Sequence, residues 1–372
     1  MASVATTPAR TGSAVRQGSS KSGRQLKWWQ QALYQALCLF IGATVLFPVL
    51  WIVSMSLDPR NIARPTELNL IPPGASLDAY RQVLDRPTGN PVTFAELAMN
   101  SLRLAGGVAL FALLIGVSAA YAFSRFKFPG RQYAMIAVLG ITVLPAVATI
   151  APLFALLNGI RITATLLSIA LGIAGLLAAG FGLLIIVPAW RSGTAVGSTY
   201  LLGGVALVMG LILLVTAVSP PANDIFILRN SLLGVGIAMI SGALPFAIWN
   251  LKGYLDTIPK ELEEAAIIDG ASANQIFFQI VLPLSTPALA VTGFLSFTTG
   301  WTEFFLSWQF LTNPQDFTLA MALYNMTGQY AGSVPWSRFA AFSILVSLPV
   351  AIVYLLLQRY IVGGLTLGGV KG

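Results

Sequence analysis

The stretch 250-NLKGYLDTIPKELEEAAIIDGASANQIFFQIVLPLSTPAL-289 is a polar island between two long apolar runs, and its reading decides the architecture. Lys260, Glu261, Glu263, Glu264 and Asp269 make it too charged for a bilayer core, while Leu262, Ala265, Ala266 and Ile268 supply the packed side of a short helix. Pro259 suits a helix start, and Gly270 lets the chain turn. Ser272 followed by Gln275 has the spacing of a capping box for a second short helix through Ile276, Phe277 and Ile280, which Pro283 should limit. The pattern predicts a helix, turn, helix element lying along a membrane face, with the small Ala265-Ala266 pair leaving room for another surface to approach.

The flanking runs belong to a chain that is apolar almost throughout. Of 372 residues, 56% are hydrophobic and only 9% charged, with a mean hydropathy of +0.79. Soluble domains carry about 25% charged residues, so this chain cannot cover a water-facing surface and reads as an all-α polytopic membrane protein. A bilayer core needs about 20 apolar residues per helix. Eight segments approach that length: 34–56, 104–123, 134–158, 163–188, 199–218, 229–249, 288–309 and 339–357. Pro145, inside the third, predicts a kink. The runs are too long for barrel strands, and helices satisfy their own backbone in lipid.

Charge distribution gives the topology. The net charge of +8 comes largely from short basic segments. Residues 1–33 carry Arg10, Arg16, Lys21, Arg24 and Lys27 with no acidic residue and read as a cytoplasmic basic tail, ahead of a first span at 34–56. The loop "SRFKFPGR", with Arg125, Lys127 and Arg131, also belongs inside. Residues 57–103 balance five basic against five acidic side chains and become a periplasmic segment. Eight crossings put both termini, including the tail 358–372, on the cytoplasmic side, together with the island at 250–287. A single cysteine, Cys38, excludes an internal disulfide framework, and the absence of histidine removes the usual zinc ligand and the commonest proton shuttle.

With these residues in place, the chain resembles the permease subunits of bacterial ABC importers. Their cytoplasmic EAA signature is matched by Glu264-Ala265-Ala266, Asp269-Gly270-Ala271, Ile280 and Leu282-Pro283. Further stretches are similar to the sugar-importer branch of MalG-like, maltose and maltodextrin type permeases. They are "YAFSRFKFPGRQ" at 121–132, "LKGYLDTIPKELEEAAIIDGA" at 251–271 and "QRYIVGGLTLGGVKG" at 358–372. The resemblance implies that residues 260–282 form a coupling helix seated in a cleft of a nucleotide-binding subunit, with Glu264 as the ionic contact. It also implies that Gly363, Gly364, Gly368, Gly369, Lys371 and Gly372 form a tail reaching the interface of the ATPase dimer, where glycines permit an extended or turning backbone. The implied partners are a second, MalF-like permease subunit, a pair of identical ATPase subunits and a periplasmic sugar-binding protein. The implied location is the bacterial inner membrane. One interval departs from the pattern, because six spans are expected of the family and residues 163–218 read as an extra hairpin within the membrane domain 104–357.

The chain has no G-x-x-x-x-G-K-[ST] phosphate loop, so it binds no cofactor of its own on this reading, and ATP and Mg2+ are expected in the partner ATPases. No catalytic or metal-binding set is legible. Glu303, beside Trp301, marks a possible substrate path, since an ionisable residue at membrane depth invites that role. Trp301, Trp308 and Phe310 offer faces for a sugar, with interfacial anchoring as the competing role, while Asn230 and Asn250 serve either a pathway or a helix end. Trehalose or another oligosaccharide is the alternative cargo. A proton-coupled carrier would need coupling groups and paired repeats, and a membrane enzyme would need Glu303 and Asp224 to converge on one pocket.

Overall fold

Backbone that crosses hydrocarbon must satisfy its hydrogen bonds internally, and this chain does so with helices. The computed structural model describes residues 27–62, 69–192, 197–218, 225–327 and 334–368. Most of the basic tail and the last four residues, Gly369, Lys371 and Gly372 among them, lie outside the described residues, as does Asp224. In chain order the elements are α1 (Trp28–Ser56), α2 (Asp78–Asp85), α3 (Phe94–Arg125), α4 (Arg131–Thr142), α5 (Ala146–Gly159), β1 (Arg161–Thr163), α6 (Ala164–Ser192), α7 (Gly197–Val218), β2 (Ile225–Ile227) and α8 (Leu232–Leu255). There follow α9 (Glu261–Ile268), α10 (Ala273–Gln275), a π-helical segment (Ile276–Val281), α11 (Leu282–Leu284), α12 (Thr286–Trp301), α13 (Phe305–Phe310), α14 (Leu319–Asn325) and α15 (Trp336–Gly368).

Five of these helices are long and apolar enough to cross a membrane, and seven spans result when each of two bent pairs is counted once. The eight separate spans expected from the sequence are therefore resolved differently. The third run is two limbs, α4 and α5, bent by 99° about Val143–Pro145, because Pro145 has no amide hydrogen to carry the helix through. The seventh stops at Trp301, short of the expected 309, and its start is bent by 72° from the helical run Ala273–Leu284. Leu166, Ile173, Leu176 and Leu177 on α6 and Ile352 and Leu355 on α15 remain exposed, as side chains that face lipid do.

Among residues 51–372 the polar ties gather at two opposite ends of the helices. At the end where α3 begins, the Asn100 side-chain amide donates to the carbonyls of Gln315 at 2.6 Å and Phe317 at 3.1 Å, and the Leu319 amide donates to Ser101 Oγ at 2.8 Å. The amide of Ser337 donates to Asn61 Oδ1 at 3.0 Å, and its hydroxyl donates to the Asp58 carbonyl. The loop after α5 and the loop after α7 meet there too, as the antiparallel pair β1 and β2, with Ile162 opposite Phe226. These segments meet at one end of the helices. At the other end, where α3 finishes, the α8 terminus, α9 and the π-helical segment close around Val117, Ala120, Leu251, Leu255, Val281 and Leu282.

Small residues set the closest helix contacts, as expected where lipid removes any hydrophobic drive for association. On α6 and α7, Gly175 lies against Gly210 and Leu214 while Gly182 lies against Gly203 and Leu207, so the two helices run antiparallel. They attach to α3 through Leu110, Ala178, Ala206 and Met209. On α12, a side chain at Gly300 would stand 2.6 Å from the Cα of Ala105 on α3. Because that obstacle is backbone, Gly300→Ala is expected to cost about 1–3 kcal/mol, read as a lower unfolding temperature of the solubilised protein. Gly107→Ala, where a Cβ meets nothing within 4 Å, is the matched change expected to leave it unaltered.

Candidate functional site

The polar island folds as a helix, a turn and a second helical run. The α8 helix continues through Leu251, Lys252 and Leu255, the chain turns at Asp256–Pro259, and α9 starts at Glu261. Gly270 adopts φ +83°, a left-handed conformation that a side chain would strain, and so reverses the chain after α9. Ser272 and Gln275 form the capping box, Ser272 Oγ accepting from the Gln275 amide and Gln275 Oε1 accepting from the Ser272 amide. The helix then widens into the π-helical segment and passes through Pro283 instead of stopping at it. Pro283 falls in the first turn after the π-helical segment, where a missing amide hydrogen is tolerated, and the break comes at Ser285.

The face of α9 that packs is not the one its apolar residues suggest. Glu263 and Ala266 are buried, while Leu262, Ala265, Ile267 and Ile268 are exposed, Ile268 by 86%. The reason lies on α3. Arg125, at its last residue, turns toward α9, and its Nε donates to Glu263 Oε1 at 2.5 Å, both side chains being nearly enclosed. A second Arg125 nitrogen donates to the Ile258 carbonyl at 3.2 Å, and the Tyr121 hydroxyl donates to Glu263 Oε2 at 3.2 Å. A buried charge of each sign, each with further hydrogen bonds, outweighs the burial of Leu262 or Ile268 in choosing the face. Tyr121 is itself held edge-on by Phe126 at 5.9 Å and Phe277 at 4.9 Å, joining α3 to the π-helical segment.

The network continues to α8. Arg125 donates to Ser124 Oγ at 2.9 Å, Ser124 donates to Asp256 Oδ1 at 2.6 Å, and Lys252 pairs with Asp256 Oδ2 at 2.6 Å. Burial raises the affinity of the Asp256 carboxyl for its proton, but the Lys252 ammonium, the Ser124 hydroxyl and the charge of Arg131 outweigh it, so its pKa lies below the ordinary carboxylate value. A depressed pKa in the fold gives stability that is present above the unfolded value and lost as pH falls through the folded one. The stability gap between wild type and Asp256→Asn is therefore expected to be full at neutral pH and to narrow below about pH 4, read by thermal unfolding at a series of pH values.

Of the residues singled out in the sequence, Glu264, Ala265, Asp269 and Gly270 are exposed on one side of this element. Ala266 and Leu282 are buried beneath it, and Ala271, Ile280 and Pro283 are half-buried at its edge. The Glu264 side chain makes no hydrogen bond or ion pair among the described residues, and its backbone amide donates to the Lys260 carbonyl at 3.0 Å. The network of Arg125, Glu263, Tyr121, Ser124 and Asp256, in which Glu263 and Ser124 are buried, is not legible as a site in the sequence. Arg125 signalled only sidedness, and no spacing connects it to a glutamate more than 130 residues later.

At the opposite end, Trp301 is buried, stacked on Phe297 at 5.6 Å, and its indole N–H donates to the Val346 carbonyl at 3.0 Å. Phe310 is fully buried, so among the three aromatics that offered a sugar face only Trp308 is open, with 48% exposure. Glu303 is half-buried and caps α13, its Oε1 accepting from the Leu306 amide at 2.5 Å. Asn230 accepts from the Thr312 amide at 2.8 Å, and Asn250 donates to Thr292 Oγ1 at 2.8 Å, tying α8 to α12. From Gly363 to Gly368 the backbone is helical, where the sequence suggested an extended or turning backbone.

The comparisons with known proteins fall on the same ground. Residues 112–366 match the family of binding-protein-dependent transport system inner membrane components, and the chain belongs to that family. It is 31% identical over 359 residues to a maltose/maltodextrin transport system permease protein, MalG, of Vibrio vulnificus, covering 94% of this chain and 98% of the relative. It is 29% identical over 336 residues to the galactooligosaccharides transport system permease protein GanQ of Bacillus subtilis, covering 90% and 94%. Among solved structures, a bacterial ABC transporter involved in the import of the acidic polysaccharide alginate superposes with a TM-score of 0.58 at 18% identity, over 90% of this chain and 96% of that one. The likeness in structure extends the same fold across nearly the whole chain. The chain is thus a multi-pass, non-catalytic transport subunit, and among its described residues no group of three or more His, Cys, Asp or Glu side chains gathers to hold a metal.

Proposed function

We propose that this chain is one of two permease subunits of an ATP-driven, binding-protein-dependent sugar importer, and that α9 with the turn at Gly270 seats in an ATPase subunit. The observation that carries the coupling role is the inverted packing of α9. Its glutamate at 263 is turned inward to Arg125 while Leu262, Ala265, Ile267 and Ile268 stand in the open beside Glu264. An exposed apolar face of this kind, rimmed by acid groups, suits a protein cleft. Closure of the ATPases would push α9, and the Arg125–Glu263 pair would pass that displacement to α3. No bond is made or broken in this chain.

The relatives named for maltose, maltodextrin and galactooligosaccharides support an oligosaccharide cargo, of which maltodextrin is our first choice. On this reading both termini are cytoplasmic, Glu303 and Trp308 stand at the outward mouth of the path, and α6 with α7 is a hairpin added to the family's six spans. The tail from Gly363 to Gly372 extends the contact with the ATPases, whose bound ATP and Mg2+ supply the energy. Gentle solubilisation of the tagged complex should bring down an ATPase, a second permease and a sugar-binding protein, identified by mass spectrometry. Reproducible recovery of a complex with no ATPase would remove the proposed power source.

A further inference from the structure

A cavity of about 980 Å3 opens between α3, α6, α7 and α8, and its chemistry is graded along the length of α3. At the end where α3 begins it is walled by Arg103, Arg229, Asn230, Asn313 and Asp316. Going inward, every wall becomes apolar: Phe111 and Ile115 on α3, Leu171 on α6, Leu213 on α7 and Ile237 on α8. From Arg103 to Ile115 helix α3 climbs about 18 Å, more than half a bilayer core, so the apolar part runs from the membrane boundary to its middle.

Among the described residues, the polar end holds a cation whose Nε has no protein partner. Arg229 is committed, donating to Asn158 Oδ1 at 3.1 Å and to the Phe310 carbonyl at 2.7 Å, with its guanidinium 4.7 Å from the Phe154 ring centre. Arg103 has no such ties. Its Nε is buried with no hydrogen-bond partner, and it forms no ion pair among the described residues. A buried, unpaired guanidinium donor is costly, and the group that meets it best is a phosphate diester oxygen.

We propose that this cavity holds one phospholipid of the adjoining leaflet, its phosphate on Arg103 and an acyl chain running inward between α3 and the α6–α7 pair. A free phosphate would meet Arg103 but leave the apolar depth empty, and a sugar would find its hydroxyls against Phe111, Leu171 and Ile237. The lipid completes the attachment of α6 and α7 to the rest of the helices.

The test is quantitative lipid analysis of the purified complex after exhaustive exchange into a lipid-free mild detergent. Wild type is expected to retain about one phospholipid per copy of this chain. Arg103→Gln should lower retention about tenfold, the effect of losing one charge-assisted hydrogen bond. Gly107→Leu fills the cavity from α3, where a new Cβ meets nothing within 4 Å, and should displace the lipid while the protein stays folded. Arg86→Gln, at an exposed site away from the cavity, should change nothing. Wild type without retained phospholipid, equal retention in Arg103→Gln and Gly107→Leu, or a bound sugar or inorganic phosphate in its place would overturn the proposal. None of these readouts depends on transport or on an ATPase.

Discussion

Arg125→Met alone is expected to destabilise the protein by about 3–5 kcal/mol, because it leaves the Glu263 carboxylate buried without its cation. Glu263→Leu alone should cost a similar amount by stranding the guanidinium. The double variant should recover most of the loss, since a well-packed apolar pair in place of a buried ion pair is often neutral. Thermal unfolding of the three purified variants measures the cycle. Losses that simply add in the double variant would mean the two side chains do not act as a pair. If α9 is held by this pair, the double variant should also restore protein yield but transmit less of the ATPase stroke, since a fixed polar tie has become an adaptable apolar contact.

Glu264→Lys has the opposite character. The Glu264 side chain is exposed and has no hydrogen bond or ion pair among the described residues, so the change should leave the unfolding temperature of the isolated chain within experimental error. If Glu264 meets the ATPase as proposed, the change reverses the charge presented there, and loss of a close charge pair at an interface costs about 2–5 kcal/mol. Sugar-stimulated ATP hydrolysis and transport should both fall by more than about tenfold. Unchanged transport in proteoliposomes would remove Glu264 from the ATPase contact.

The contrast between these neighbours shows where sequence reading succeeds and where it stops. The turn at Gly270 and the Ser272–Gln275 cap are local, and each appears where its residues place it. The choice between Glu263 and Glu264 is not local. It depends on Arg125, distant in the chain, and on the Tyr121 and Ser124 groups that complete its shell. Helical periodicity favours Leu262 and Ile268 inward, and the ion pair overrides it. At the opposite end the same limit applies to Trp301, whose place beside Glu303 suggested an open wall but whose indole is used by Val346. Pro145 and Pro283 are equally instructive. One proline breaks a span by 99° and the other is passed without a break, because a π-helical turn precedes it.

The central claim is that the exposed face of α9 meets an ATPase subunit. With Cys38 replaced by Ser and a cysteine placed at Ala265, a short thiol-reactive photocrosslinker in native membranes should join this chain to the ATPase that co-purifies with it, and ATP should change the yield. A complex that contains the ATPase yet gives adducts only with lipid or with the second permease would contradict the account.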